Sequence, residues 1–209
     1  MIKASDIELT EKEKEFIKKH KKMLSENNLS SFLSEMAKFD LFGDTATEPN
    51  SIIQLCILLN IDCYSKSNGI PNYTFKRCYF PKPMLILPEA KVILAESFAF
   101  CKGLKKLNAP ECTVLDQSAF RGSSLEIISL PKLKNILPKM FWHIHDLRML
   151  DLRGVETFPM YENIFKDTGN HSTIMLYIGK QTKLIDSDFN GPQTDEEFEE
   201  KYDIKIKRV

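Results

Sequence analysis

The sequence predicts an α/β repeat solenoid closed at its N-terminus by a helical cap. Three observations lead there. Phenylalanine recurs at Phe75, Phe98, Phe120, Phe141 and Phe165, with gaps of 23, 22, 21 and 24 residues, and a period in the low twenties marks a stacked array. Each Phe leads a phrase with the same internal offsets, ending in an alternating apolar run. The residues before the first phrase follow a helical rhythm instead.

Residues 1–65 read as the cap. Thr10-Glu11-Lys12-Glu13 has the form of a capping box, with Thr10 as N-cap and Glu13 at the third helical position. Phe16, Ile17, His20, Met23 and Leu24 then share one helical stripe, which Asn27 and Asn28 interrupt. A second helix carries Leu29, Phe32, Leu33 and Met36 on one face. Phe39 to Asn50 reads as a loop around Gly43, and Thr47 and Pro49 supply the start of a third helix. That helix, Ser51 to about Asn60, is apolar nearly all round (Ile52, Ile53, Leu55, Cys56, Leu58, Leu59) and is expected to be buried. An open solenoid exposes the core of its first coil, and such a cap covers it.

Residues 66–190 read as about five to six coils. The best-preserved unit, Ser97 to Pro110, has Phe98, Cys101, Leu104 and Leu107 at every third position and closes on Pro. Three-residue spacing suits a short helical or 3₁₀ turn, and Leu-x-Leu suits a half-buried strand. The Pro, which cannot donate a ladder hydrogen bond, marks the strand's end. The Phe75 unit passes through Cys78, Pro81 and Met84 to Leu85-Ile86-Leu87-Pro88, and the Phe120 unit through Leu125 and Ile128 to Leu130-Pro131. The Phe141 unit has Ile144, Leu147, Leu150 and Leu152, with Arg153 in place of Pro. The Phe165 unit is looser, ending in Met175-Leu176-Tyr177-Ile178. Between units lie second apolar runs: Val92-Ile93-Leu94, Val114-Leu115, Ile136-Leu137 and Leu184-Ile185. No unit can bury its apolar side alone, but stacked units can, each Phe packing over the last.

Residues 191–209 read as a C-terminal cap. Asp195 to Tyr202 is a short acidic helix, and Ile204-Lys205-Ile206-Lys207 alternates as a closing strand whose lysines blunt an open sheet edge.

The phrases Ser97-Phe98-x-x-Cys101-x-x-Leu104-x-x-Leu107-x-Ala109-Pro110 and Ala119-Phe120 through Leu125, Ile128 and Leu130-Pro131 resemble the leucine-rich repeats of the BspA-like, or Treponema pallidum, type. The resemblance covers about residues 70–190. It implies a short curved leucine-rich-repeat array with a strand-lined concave face, used for binding proteins or other macromolecules. It carries no shared catalytic residues.

Composition excludes several classes. With 29 basic and 29 acidic residues the net charge is zero, so no global field draws the chain to nucleic acid or membrane. No apolar run is long enough to span a bilayer, and the first residues lack the apolar core of a signal peptide. A cytoplasmic location is therefore expected. Five cysteines, Cys56, Cys63, Cys78, Cys101 and Cys112, form no close Cys-x-x-Cys pair and read as reduced and structural. There is no phosphate loop, no G-x-S-x-G elbow and no H-E-x-x-H. No enzyme activity, cofactor or metal is expected.

Two surfaces are candidates for contact. Outward positions of the strand phrases form a concave row of Ile86, Asn108, Ser129, Asp151 and Tyr177, with Lys106 and Met149 beside it. Its mixed character suits a protein better than a phosphate backbone, where stacked Arg and Lys would be expected. The irregular Phe141 unit adds Trp142, His143 and His145, interface-type side chains on a loop; His143 and His145 would bind metal only with a third ligand such as Asp146 or Glu162. The expected function is non-enzymatic binding of a protein partner. The order of helical segment, Ile70-Pro71 and repeats resembles small proteins encoded by phages and mobile elements. That resemblance implies an accessory factor that blocks a host defence protein in the host cytoplasm. The alternatives are nucleic-acid binding through Lys14, Lys18, Lys21 and Lys22, a hydrolase using His143 or His145, and self-assembly.

Overall fold

In the computed structural model, which describes residues 2–24, 29–41, 48–62, 64–160, 164–169, 173–186 and 194–209, the capping box forms as the sequence predicts. The Thr10 hydroxyl accepts from the Glu13 N–H at 3.2 Å and the Glu13 carboxylate accepts from the Thr10 N–H at 2.8 Å. Helix α1, Glu11–Lys19, buries Phe16. The stripe from Phe16 to Leu24 is not one helix, however. His20 leaves helical geometry at the end of α1, and α2 restarts at Lys21–Leu24. The His20 ring stacks on Phe16 at 4.3 Å, so the side chain follows the stripe although the backbone breaks.

Helix α3, Leu29–Lys38, buries Leu29, Phe32, Leu33 and Met36, the face expected of it. Helix α4, Ser51–Leu58, starts at the expected residue and ends about two residues earlier than expected. Asn50 is its N-cap, accepting from the N–H groups of Ile52 and Ile53 at 3.1 Å, and Thr47 lies outside the described residues. Ile52, Ile53, Cys56 and Ile57 are buried, whereas Leu59 is exposed just past the helix.

The coils run through three parallel sheets. The largest has six strands in the order β11-β9-β7-β6-β4-β2: Ile204–Arg208, Ile174–Ile178, Met149–Leu152, Ile127–Ser129, Lys106–Asn108 and Met84–Ile86. A second has three, β1-β3-β5, at Gly69–Ile70, Val92–Ile93 and Val114–Leu115; a third pairs β10, Lys183–Asp186, with β8, Thr157–Met160. Of the second apolar runs, Ile136–Leu137 forms no strand, and β8 was not expected. Its Pro159 cannot donate to a ladder and masks the apolar alternation.

The segment carrying each Phe is a pair of turns rather than a 3₁₀ helix. Residues with positive φ stand two before the Phe (Tyr73, Glu96, Ser118, Lys139) and two after it (Arg77, Phe100, Gly122, His143, Asp167). These left-handed positions end any helical run on both sides. Between them the backbone bonds to the next coil, as in Phe75 N–H to Ser97 O at 2.7 Å and Phe98 N–H to Ala119 O at 2.8 Å.

The Phe ladder forms in two runs, Phe75 to Phe120 and Phe141 to Phe165, with no ring contact between Phe120 and Phe141. Ring centroids of Phe75 and Phe98 lie 5.0 Å apart, Phe98 and Phe120 5.9 Å, and Phe141 and Phe165 6.1 Å. The first four rings are fully buried; Phe165 is only half-buried, and Ile164 takes the interior place beside it. One continuous core joins cap, coils and α5, Asp195–Tyr202. Among the described residues no helix is long and apolar enough to cross a membrane.

The two ends of the six-stranded sheet differ. At the C-terminal edge α5 lies over β11, and the Glu199 carboxylate accepts from the Ile206 N–H at 2.7 Å. At the other edge Lys106 N–H donates to Pro83 O and Leu87 N–H to Asn108 O. In a parallel ladder that leaves the backbone of Met84 and Ile86 facing away from the sheet.

Candidate partner-binding surface

Strand register decides which side chains share a face, because successive residues alternate across a sheet. Leu85, Leu107, Ile128, Leu150, Leu176 and Ile206 line up inward. One outward row is Ile86, Asn108, Ser129, Asp151, Tyr177 and Lys207, which brings together the expected concave series. The other outward row, two residues earlier in each strand, is Met84, Lys106, Ile127, Met149, Met175 and Lys205.

The Met-bearing row is what sequence reasoning largely missed, having picked out only Lys106 and Met149. Its members occupy the first outward position of each strand, and the one-residue variations in repeat length hide that equivalence in the sequence. Met84 is 55% and Ile86 46% exposed, while Ile127, Met149, Met175 and Tyr177 are partly buried by their neighbours along the rows. Ile127, Met149 and Met175 form an apolar stripe over three neighbouring strands, which Lys106 and Asn108 separate from Met84 and Ile86, and a patch of this kind marks an interaction site. Methionine's flexible thioether lets such a stripe fit uneven surfaces.

The charges on this face are mostly neutralised in place. Asp151, only 7% exposed, accepts two bonds from the Arg153 guanidinium at 2.8 Å and one from the Ser129 hydroxyl at 3.1 Å. The hydrogen bonds and charge of Asp151 raise the Arg153 pKa. Asp151 is thus a brace within the row, and Tyr177 lies under the Lys207 ammonium at 5.3 Å. Lys105, at the rim, bridges Glu126 at 3.0 Å and Asp146 at 3.3 Å. Those bonds, Glu126's above all, raise its pKa against the effect of desolvation.

The irregular Phe141 unit lies on the turn edge beside the sheet. Trp142 is half-buried; its Nε1–H is shielded from water and has no acceptor among the described residues, a condition that costs about 1–3 kcal/mol. Its ring packs 4.2 Å from His143, whose Nδ1 is 3.5 Å from the Asp167 carboxylate. The exposed His145 ring is 5.8 Å from His143. Asp146 is turned to Lys105, and Glu162 lies outside the described residues. Among the described residues no three His, Cys, Asp or Glu side chains converge as metal ligands.

The other sequence candidates separate from these surfaces. Lys14 on α1 is paired with Glu11 at 2.6 Å, and a cleft of about 400 Å³ beside α1 has Glu8, Lys12, Glu13, Asp40 and Glu48 as its charged lining. Cys56, Cys78, Cys101 and Cys112 are buried free thiols, and Cys63 lies outside the described residues. Burial pushes the Cys101 pKa up to about 12 and that of Cys112 to about 11.

Against known families, the BspA type leucine rich repeat region matches residues 68–191 in six copies. Comparison with curated proteins and with solved structures finds no match.

Proposed function

Because the chain belongs to the BspA-type leucine-rich-repeat family, a class of protein–protein interaction modules, we propose that it binds a protein partner on the outward face of its six-stranded sheet. The observation that carries this reading is the apolar stripe of Ile127, Met149 and Met175 across three successive strands, with Met84 and Ile86 on the edge strand beyond Lys106 and Asn108. A partner burying such a stripe gains hydrophobic contact at its centre, with Lys106 on one side and Lys205 and Lys207 on the other. The partner we favour is a host defence protein, occluded sterically in the host cytoplasm by a phage- or mobile-element-encoded chain. Its support is the resemblance in the order of helical cap, Ile70-Pro71 and short repeat array. The role is non-enzymatic, as is usual for this scaffold.

Pull-down from the native host with mass spectrometry identifies the partner, and purified components then give its affinity. Met149→Glu and Ser129→Arg are expected to weaken that affinity by about tenfold or more with the fold intact. Unchanged affinity in both would overturn the use of this face.

A further inference from the structure

The turn edge carries an alternating stack of cations and aromatic rings. The Arg77 guanidinium lies 5.0 Å from the Phe100 ring centroid, Arg121 lies 5.6 Å from the same ring, Arg121 lies 5.0 Å from Trp142, and the Lys139 ammonium lies 5.2 Å from Trp142. Four successive coils each contribute to it.

The stack is built at a cost to the backbone. Phe100 holds φ +58°, a conformation unfavourable for a bulky side chain. A Cβ on Gly122 would stand 2.5 Å from the Phe100 ring, so only glycine lets that ring lie over the next coil. Trp142 is oriented by the stack, since its Nε1–H donates to nothing among the described residues. Neither Arg121 nor Lys139 has a carboxylate partner among the described residues. Arg121 is therefore held between two rings with no carboxylate on its N–H fork, a receptor for a planar anion.

We propose that this edge binds an acidic, extended segment of a protein partner, with its carboxylates seated on Arg121 and Lys139. Coils spaced by about 4.8 Å give the stack a length of about 14 Å, that of about four extended residues. Single-stranded nucleic acid fits less well, because it needs open aromatic faces for its bases and here cations occupy them. The site lies beside the sheet face, so it rests on the chain being a partner-binding module but not on which face the main contact uses.

Trp142 is the sole tryptophan, so its emission reports on this site alone. Titration of the purified chain with a deca-glutamate peptide is expected to change that emission saturably, and a deca-glutamine peptide is expected to leave it unchanged. Arg121→Gln and Lys139→Gln, each with wild-type circular dichroism, are expected to weaken deca-glutamate binding by about tenfold, the scale of a lost charge-assisted bond pair. Because Lys139 is exposed, its variant keeps the test decisive if Arg121→Gln misfolds. No saturable response, an equal response in the Gln variants, or tighter binding of oligo(dT) than of deca-glutamate each overturns the proposal. Met149→Glu on the sheet face is expected to leave this titration unchanged, so this site and the sheet-face reading can fail separately.

Discussion

The side chain of Gln54 pairs with the backbone of Tyr79 as a strand would: Nε2 donates to the Tyr79 carbonyl at 2.8 Å and Oε1 accepts from the Tyr79 N–H at 2.6 Å. On its other side this stretch bonds the following coil, through Phe80 N–H to Lys102 O and Lys102 N–H to Cys78 O. No coil precedes Tyr79, so a buried glutamine from α4 stands in for one. Gln54 looks out of place in an apolar helix until that role is seen.

Gln54→Leu keeps nearly the same volume and removes both bonds. Leaving the two Tyr79 backbone groups unpaired is expected to cost about 2 kcal/mol or more. Urea unfolding measures the loss, and faster exchange of the Tyr79 amide would localise it. Unchanged stability and exchange would rule out the stand-in role.

Gly122 sits at φ +65° against the Phe100 ring. Gly122→Ala is expected to destabilise by about 1–3 kcal/mol, from left-handed strain and from the displaced ring. Emission from Trp142 should shift in the folded variant, because Arg121 bridges the two rings.

Phe98 is fully buried within the ladder and Phe165 is not. Phe98→Ala is expected to cost about 3–5 kcal/mol and Phe165→Ala about 1–2 kcal/mol. Equal costs in denaturant unfolding would contradict the burial difference.

Cys101 titrates near 12 in the folded chain against an ordinary thiol value of 9.0, because burial disfavours the thiolate. A raised folded pKa gives stability that is complete below pH 9.0 and lost as pH rises through about 12. Unfolding midpoints are expected to fall over that window, less so in Cys101→Ala than in wild type. At neutral pH Cys101 and Cys112 should resist alkylation until the chain unfolds.

Glu199 titrates below its ordinary 4.5, chiefly through its hydrogen bond from Lys205 and then that from the Ile206 N–H. A depressed folded pKa gives stability present above 4.5 and lost as pH falls through the lowered value. The Ile206 amide is expected to exchange faster relative to the core at low pH, and Glu199→Gln should flatten that dependence.

Periodicity alone determined the solenoid, the Phe ladder, the inward leucines and the row from Ile86 to Tyr177. Stacking forces equivalent residues of each repeat into equivalent positions, so those assignments need no knowledge of distant contacts. The acidic α5 and the closing strand were legible for the same local reasons. Only the tertiary structure decided the rest. The Met-bearing row emerged once register had absorbed the unequal repeat lengths. Asp151 became a brace because Arg153, just past the end of β7, folds back on it. Residues as far apart as Arg77 and Lys139 form one stack because each sits on a different coil, and the stacking of the coils brings them together. Gln54 found its partner 25 residues away. Such pairings depend on how coils and cap are placed in space.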